Sequence, residues 1–407
     1  MPAIRPLASA LALSLLAACT QGPSPSTEQA PAAPAAAPSG PATVAANPPG
    51  MQDGQPGAPG NVMPAAPGTE GAATAPAAVV AAAADATLAK DDPLRAQVLL
   101  ERAFFSPGEI DGAKGSNMAR AVKAYQAAHD LKGRGTLDTA TWDLLNKDTA
   151  PVLIEYTLTA EDVAGPFAKT PAKPADMAKL DALPYESALE KVAEKFHMAP
   201  SLLKKLNPEV DFASTDDATG TGDGKDAAKG ADAAKKTEAS TSTSTSAPAT
   251  GTLAGTKITV INVTAGEQFP TPAKIVVDKS DSALLLVDAS DKTLGVFPVT
   301  TGSKQFPLPI GDWKVTTVQQ DPVWHFDPKL IAGSKKTDKE ADVPAGPNNP
   351  VGVVWVGLTK EHYGIHGTPH PERIGKTESN GCIRMTNWSV ESLAKVATPG
   401  MQVTLRE

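Results

Sequence analysis

Two short motifs carry most of the information in this chain: Tyr363-Gly364-Ile365-His366-Gly367-Thr368 and Ser379-Asn380-Gly381-Cys382-Ile383-Arg384-Met385. The cysteine of the second lies 16 residues after the histidine of the first. Cys382 is one of only two cysteines in 407 residues, so no disulfide framework explains it. An imidazole near a thiol lowers the thiol pKa and favours the thiolate, which is the reactive form. We therefore predict Cys382 as a nucleophile and His366 as its base. The alternative is an inert buried cysteine beside a surface histidine.

Two glycines and an arginine flank this pair. Gly367 and Gly381 carry no Cβ, so they are predicted to let backbone N–H groups approach a developing oxyanion, with the donors near Gly381 and Cys382. Arg384 lies two residues after Cys382 and, by the two-residue period of a strand, on the same side of it. A guanidinium there is suited to hold a substrate carboxylate through two parallel hydrogen bonds.

The region around this site, residues 270–407, is predicted to be mainly β. Short runs of β-branched or alternating residues are separated by turn-forming Asp, Lys, Ser, Pro and Gly. The runs are Ala273–Val277, Ala283–Val287, Thr293–Val299, Gly311–Val318 and Val351–Leu358, with one helix at Ser389–Val396. Five or more short strands in this length predict a small sandwich or barrel that folds by itself.

This region resembles the catalytic domain of L,D-transpeptidases of the YkuD type over roughly residues 272–406. The family signature is His-Gly-Thr followed by Ser-His-Gly-Cys-x-Arg, and the likeness extends to Pro347-Asn348-Asn349-Pro350 and Thr386-Asn387-Trp388. One position departs, because Asn380 stands where the family usually has a second histidine. An asparagine orients neighbours by hydrogen bonds but carries no proton.

The resemblance implies a two-step acyl transfer without metal or other cofactor. Cys382 would be the nucleophile and His366 the general base and later acid, with a thioester intermediate. The donor would be a tetrapeptide stem of peptidoglycan, cleaved between the L centre of diaminopimelate and a terminal D-Ala. The acceptor stays open among a second stem, a wall-attached protein, a D-amino acid and water. The residues expected to bind substrate or oxyanion are Gly381, Asn380, Ser379, Arg384, Gly367, Thr368 and Tyr363.

Three other functions are compatible with parts of this pattern. His362, His366 and His370 recur every four residues, as metal ligands on a helix do, but Gly364, Gly367 and Pro369 disfavour that helix. A sortase-like transpeptidase also orders His, Cys and Arg on a β scaffold, without the Ser-x-Gly-Cys context. A non-catalytic wall anchor is the third alternative, and Asn380 is its only support in the sequence.

Residues 91–149 are predicted to form a small three-helix domain. Leu94, Val98 and Leu99 recur at helical spacing, a second helix follows Gly115, and Leu137, Trp142 and Leu145 mark a third. The unit resembles the peptidoglycan-binding helical domain, with Gly108-Glu109-Ile110-Asp111-Gly112 as its most specific part. A helical spacer that binds nothing is the alternative.

Residues 150–263 are predicted as a strand, two helices and a strand, from Ile154–Leu158 through Leu189–Phe196 and Ser201–Leu206 to Lys257–Val263. This order resembles a LysM module with stretched loops. One long loop spans Pro166–Pro184, and residues 213–256 contain no aromatic residue and are predicted as a disordered insertion. The module is interpreted either as a carbohydrate-binding LysM or as a structural adaptor.

The N-terminus carries a targeting signal. Arg5 precedes an apolar run that ends in Leu16-Ala17-Ala18-Cys19, which is too short to span a membrane. Residues 1–19 resemble a lipoprotein signal peptide in which Cys19 is lipidated, and Thr20 at the next position favours the outer membrane. An ordinary secretory signal is the alternative. Residues 20–90, rich in Ala and Pro, are predicted as a disordered tether, so we expect a periplasmic lipoprotein.

Composition excludes one class of partner. The formal net charge is −8 and aromatic residues make up only 4 % of the chain, the first of them being Phe104. An acidic chain has no electrostatic footprint for a nucleic acid. The expected partners are therefore peptidoglycan and, through the N-terminal lipid, a membrane.

Overall fold

A computed structural model describes residues 88–212, 253–264, 269–331, 333–335 and 337–407. The predicted signal peptide, the lipidation site Cys19, and nearly all of the predicted tether and insertion lie outside these residues. Within the described ranges, no helix combines the length and apolar character that crossing a membrane requires. Leu88 packs on a hydrophobic core and Leu253 is buried in it. The packed chain therefore begins before residue 90 and resumes before residue 256.

The three predicted helices of the first region are present. They are α1 Pro93–Arg102, α2 Ser116–Ala128 and α3 Thr139–Leu145. The side chain of Asp92 caps α1 by accepting from the N–H of Leu94, and Asp138 caps α3 in the same way from Thr141. Their apolar faces meet in a core that includes Leu100, Met118, Val122 and Leu145.

The middle region contains the predicted strand, helix, helix, strand order with two additional short helices. Its elements are β1 Leu153–Thr157, α4 Ala160–Val163, α5 Pro174–Met177, α6 Ala188–Lys195, α7 Pro200–Leu206 and β2 Lys257–Ile261. β1 and β2 pair antiparallel from Leu153 opposite Ile261 to Thr157 opposite Lys257. The pairing brings together segments that are separated by the long predicted insertion.

The first two regions share one core. Leu94 and Val98 of α1 pack with Leu203 of α7 and Ile258 of β2. The buried guanidinium of Arg102 forms an ion pair with Asp148 at 3.0 Å and also donates to the backbone carbonyls of Ala150, Pro151 and Asn262. A buried charge is stable only when it is paired and hydrogen-bonded in this way.

The third region is built on one eight-stranded sheet. Its strands are β3 Lys274–Asp278, β4 Ala283–Val287, β5 Thr293–Pro298, β6 Gly311–Gln320, β9 Val354–Leu358, β10 Gly364–His366, β11 Ile383–Arg384 and β12 Gln402–Arg406. They lie in the order β11, β10, β9, β6, β12, β3, β4, β5. The pairs β10–β11 and β12–β3 are parallel, and the other neighbours are antiparallel. Helix α8, Asn387–Ala394, packs on it through Val390 and Leu393.

This sheet curls until its two ends meet. Thr300, two residues after β5, exchanges two backbone hydrogen bonds with Arg384 of β11, at 3.0 and 2.9 Å. Of the two architectures that the sequence left open, the described residues therefore form a curled, barrel-like sheet. The strands continue from neighbour to neighbour in one ladder.

A separate hairpin, β7 Trp324–Phe326 and β8 Ala341–Val343, projects beside the sheet and was not predicted. Val343 packs with Met177 and Leu183 of the middle region, and Trp324 lies against this cluster. The backbone joins the same elements, because the Leu183 N–H donates to the Ala345 carbonyl at 2.9 Å. The long loop before α6 therefore supports the hairpin.

Candidate active site

Two short parallel strands bring the predicted site residues together. In the ladder between β10 and β11, Ile365 pairs with Ile383 and His366 pairs with Arg384. Cys382 immediately precedes β11, so by this register it lies beside Gly364 at the start of β10, two residues before His366. Strand pairing, rather than proximity in sequence, thus assembles the cysteine, the histidine and the arginine.

His366 is buried and held by backbone groups. Its ring is stacked on that of Trp355, with centroids 5.4 Å apart, and its Nδ1 lies 2.7 Å from the Gly367 carbonyl. Burial and the nearby Arg384 charge lower the pKa of His366 to about 3, although hydrogen bonds with the Gly367 and Val351 backbone oppose that shift. The imidazole is therefore neutral near pH 7 and able to accept a proton.

The thiol of Cys382 is protonated at rest. Burial raises its pKa, and the Gly364 backbone N–H and the Arg384 charge offset this only in part. Its Sγ lies 3.7 Å from the His362 carbonyl oxygen, which accepts its hydrogen bond. Both groups therefore favour their neutral forms in this environment, and formation of the thiolate requires proton transfer to His366.

Ser379 shapes the loop that carries the nucleophile. Its hydroxyl donates to the Cys382 carbonyl at 2.6 Å and accepts from the Gly381 N–H at 3.2 Å. Gly381 has φ +113°, and a Cβ there would lie 2.9 Å from Cε1 of Tyr363. The structure therefore uses Ser379 and Tyr363 to fix this turn, whereas the sequence suggested that they contact substrate.

Gly367 and Thr368 are held by the helix that follows the nucleophile. The Gly367 N–H donates to the Val354 carbonyl at 3.3 Å, and the Thr368 N–H donates to Oδ1 of Asn387 at 3.1 Å. A Cβ on Gly367 would lie 2.2 Å from that same Oδ1. The N–H groups of Gly367 and Gly381 thus both have acceptors within the protein. That backbone N–H groups near Gly381 and Cys382 hold an oxyanion stays a prediction.

A cavity of about 500 Å³ opens over the site. Cys382, His366, Arg384 and Asn380 line it, together with residues that the sequence did not single out: Trp324, His325, Asp327 and Leu330 of the hairpin segment, and Val351 and Trp355. The only hint of this wall in the sequence was the aromatic residues Trp324 and Phe326 of β7. Its opposite wall belongs to β9 and β10.

Arg384 contributes a positive charge to the lining of this cavity. Burial lowers the pKa of its guanidinium, and no carboxylate of the described ranges forms an ion pair with it. A half-buried guanidinium in a cavity attracts an anion, since its charge is only partly solvated there. The arrangement can therefore bind a carboxylate next to the thiol.

In the described part of the chain, no three His, Cys, Asp or Glu side chains are grouped so that they could hold a metal ion. His366 lies in a strand, and His362 lies in a turn at φ 65°. The four-residue spacing of His362, His366 and His370 therefore does not place them on one helical face.

Comparison with known proteins agrees with this geometry. The profile of the L,D-transpeptidase catalytic domain YkuD matches residues 272–405, and that of a "putative peptidoglycan binding domain" matches residues 90–145. "Putative L,D-transpeptidase YkuD" of Bacillus subtilis strain 168 is 29 % identical over 155 residues, which are 38 % of this chain and 77 % of that protein. "Putative L,D-transpeptidase YqjB" of the same strain is 32 % identical over 144 residues, 34 % of this chain and 74 % of that protein.

Among solved structures, L,D-transpeptidase 3 from Mycobacterium tuberculosis, in complex with a faropenem-derived adduct, is 16 % identical with a TM-score of 0.28. The match covers 38 % of this chain and 75 % of that one. The sequence relatives carry the assignment by themselves: the chain belongs to the YkuD family of L,D-transpeptidases, and joins its catalytic domain to a peptidoglycan-binding domain.

Proposed function

We propose that the protein is a cysteine-dependent L,D-transpeptidase that remodels the peptidoglycan of the cell wall. One observation carries this proposal: a thiol, a neutral imidazole and a guanidinium without a carboxylate partner among the described residues line the same cavity. These groups supply a nucleophile, a proton acceptor and an anchor for a substrate carboxylate.

In the first step, the Cys382 thiol turns from the His362 carbonyl towards His366, which accepts its proton. The sulfur attacks the carbonyl carbon of the donor peptide bond and forms a tetrahedral intermediate. We propose that backbone N–H groups near Gly381 and Cys382 hold the oxyanion, with the Cys382 N–H as a donor because the Gly381 N–H already bonds the Ser379 hydroxyl. Collapse breaks the C–N bond, His366 returns the proton to the leaving amine, and a thioester remains.

In the second step, an acceptor amine attacks the thioester and His366 takes its proton. The C–S bond breaks, the new peptide bond forms, and the proton returns to Cys382. The donor that fits is a tetrapeptide stem with a carboxylate for Arg384 to bind. Water in place of the amine would make the reaction a carboxypeptidase reaction, and a wall-attached protein with a free amine is a further acceptor class.

The test is turnover of a tetrapeptide donor by the Cys382→Ser variant. A serine hydroxyl is far less acidic than a thiol, so His366 alone should not activate it, and nearly all turnover should be lost while the fold stays intact. Turnover at the wild-type rate in this variant would overturn the assignment of the nucleophile.

A non-catalytic wall anchor is the second candidate, favoured by Asn380 and by the protonated resting state of Cys382. Pull-down on purified peptidoglycan, combined with a turnover assay, separates the two functions. If the protein is an anchor, the wild type should show no turnover, and Cys382→Ala should bind peptidoglycan as well as the wild type does. An enzyme would keep binding and lose turnover.

We also propose that residues 1–19 are a lipoprotein signal peptide, that Cys19 carries the lipid, and that residues 20–90 tether the folded part in the periplasm. The support is the sequence Leu16-Ala17-Ala18-Cys19 and the composition after it. Cys19→Ser should move the protein from the membrane fraction to the soluble fraction. Unchanged membrane association would contradict lipidation at Cys19.

For the middle region we propose a LysM-like origin, with residues 213–256 as an insertion. The support is the antiparallel pair β1–β2 and the two helices α6 and α7 between them in sequence. Binding of soluble wall oligosaccharides, followed by calorimetry, should distinguish a carbohydrate-binding module from an adaptor. Absence of binding by a folded chain would favour the adaptor.

A further inference from the structure

The carboxamide of Asn387, the first residue of α8, lies directly behind the catalytic histidine. Its Oδ1 accepts from the Thr368 N–H at 3.1 Å. A Cβ on either Gly352 or Gly367 would come within 2.2 Å of this oxygen. Gly367 follows His366, and Gly352 follows Val351, whose backbone hydrogen-bonds the His366 ring. Asn387 therefore contacts both backbone segments that hold the imidazole.

The other end of this carboxamide is held from the middle region. Its Nδ2 donates to Oε1 of Glu194 at 3.1 Å and to the Pro347 carbonyl at 3.2 Å. Glu194 lies on α6, and the same Oε1 accepts from the Tyr185 hydroxyl at 3.0 Å. One carboxylate oxygen thus receives two hydrogen bonds, and one of them fixes the orientation of Asn387.

This orientation matters because an amide has two unlike ends. With Nδ2 on Glu194, Oδ1 is directed at the Thr368 N–H. Without an acceptor at residue 194, Nδ2 would keep only the Pro347 carbonyl, and a rotated amide would bring N–H groups against the Thr368 N–H. A donor facing a donor is unfavourable in a buried site.

We infer that Glu194 is a positioning residue for the transferase reaction: through Asn387 it fixes the backbone at Gly352 and Gly367, and thereby the His366 ring that must receive the Cys382 proton. The inference rests on the proposed function. It gives the middle region a part in catalysis that does not depend on whether this region binds a glycan.

Glutamine is the informative replacement. Burial raises the pKa of Glu194 to about 7, so near neutrality a large fraction of this side chain carries no charge. Gln keeps the length and the accepting oxygen that Asn387 and Tyr185 use. Ala removes the oxygen, and Asp withdraws it by one methylene. Lys195→Ala is a matched control, because Lys195 lies on the same helix and instead bonds Asp162 at 2.7 Å.

The experiment measures kcat and KM of the full chain with a tetrapeptide donor, alongside thermal unfolding. Glu194→Ala and Glu194→Asp should lower kcat roughly tenfold or more and change KM by less than about threefold, because a misplaced base affects the proton transfer rather than binding. The Glu194→Gln variant should have a kcat within about twofold of the wild-type value. Lys195→Ala should lower the melting temperature and leave kcat unchanged.

The inference is wrong if Glu194→Asp, or a folded Glu194→Ala, retains the wild-type kcat, if Gln is as slow as Ala, or if Lys195→Ala slows the reaction equally. Alkylation of Cys382 by iodoacetamide, located by peptide mapping, gives a readout that does not require the proposed substrate. If the wild type turns over no donor, the proposed function fails. An alkylation rate that falls with Glu194→Ala and recovers with Glu194→Gln would still support the positioning role.

Discussion

His366 and Arg384 are register partners on the parallel strands β10 and β11. This pairing places a permanent cation beside an imidazole that is already buried, and together burial and that charge lower the pKa of His366 to about 3. The same cation lowers the pKa of the Cys382 thiol against the larger effect of burial. Arg384 therefore acts on both members of the proposed proton transfer in opposite senses: its charge favours the thiolate of Cys382 and disfavours the imidazolium of His366.

The first prediction concerns stability in acid. The pKa of His366 is about 3 in the folded chain and near 6.5 when unfolded, so the unfolded chain binds more protons between these values. Stability due to a neutral His366 is complete above about pH 6.5 and is lost as the pH falls towards 3. Urea unfolding of wild type and His366→Gln at several pH values measures this. The wild type should lose more stability over this window, whereas parallel curves would contradict the prediction.

The second prediction concerns the reactivity of the thiol. Because burial raises the pKa of Cys382 above its ordinary value of 9.0, alkylation should keep accelerating as the pH rises through 9. Arg384→Gln removes a charge that lowers this pKa, so its profile should shift to still higher pH. A rate plateau below pH 7 would instead indicate a resting thiolate.

The third prediction concerns Asn380, which lines the cavity where the family usually has a histidine. General-base catalysis requires one positioned acceptor, and His366 supplies it. Asn380→His should therefore keep kcat/KM within about tenfold, less than about 1.4 kcal/mol of transition-state free energy. His366→Ala should cost about a hundredfold or more. Revival of an inactive wild type by Asn380→His would favour the wall anchor.

The fourth prediction concerns the support of the hairpin. Leu183 is fully buried against Val343, and Trp324 lies between this cluster and the cavity. Leu183→Ala should lower the free energy of unfolding by about 2 to 5 kcal/mol and raise KM, because the hairpin wall loses its packing. Leu180→Ala is the control, since Leu180 is exposed and should change stability by less than about 0.5 kcal/mol. An unchanged KM in Leu183→Ala would mean that the hairpin does not shape the binding site.

Much of the fold could be predicted from the sequence because its longer elements carry periodic patterns. The runs at 283–287 and 293–298 alternate or are continuously apolar, and α1 shows helical spacing. The two strands of the site show no periodic pattern, since β10 has three residues and β11 has two. Segments this short show no period, and only their pairing with distant residues defines them.

The candidate site was predicted in its residues but not in its contacts. Cys382, His366 and Arg384 follow from the motif, and the structure brings them to one cavity. The acceptors of the Gly367 and Gly381 N–H groups, the Val354 carbonyl and the Ser379 hydroxyl, could not be predicted because only the folded chain brings them into place. Glu194 had no signal at all, as it is separated from Asn387 by 193 positions.

The central claim is that Cys382 forms a thioester with a stem peptide. Intact-protein mass spectrometry after rapid mixing with a tetrapeptide donor tests it most directly. We expect an adduct equal in mass to the donor less its terminal D-Ala, located at Cys382, removed by hydroxylamine and absent from Cys382→Ala. Donor turnover by the wild type with no such adduct at any mixing time, or with an adduct that persists in Cys382→Ala, would contradict it.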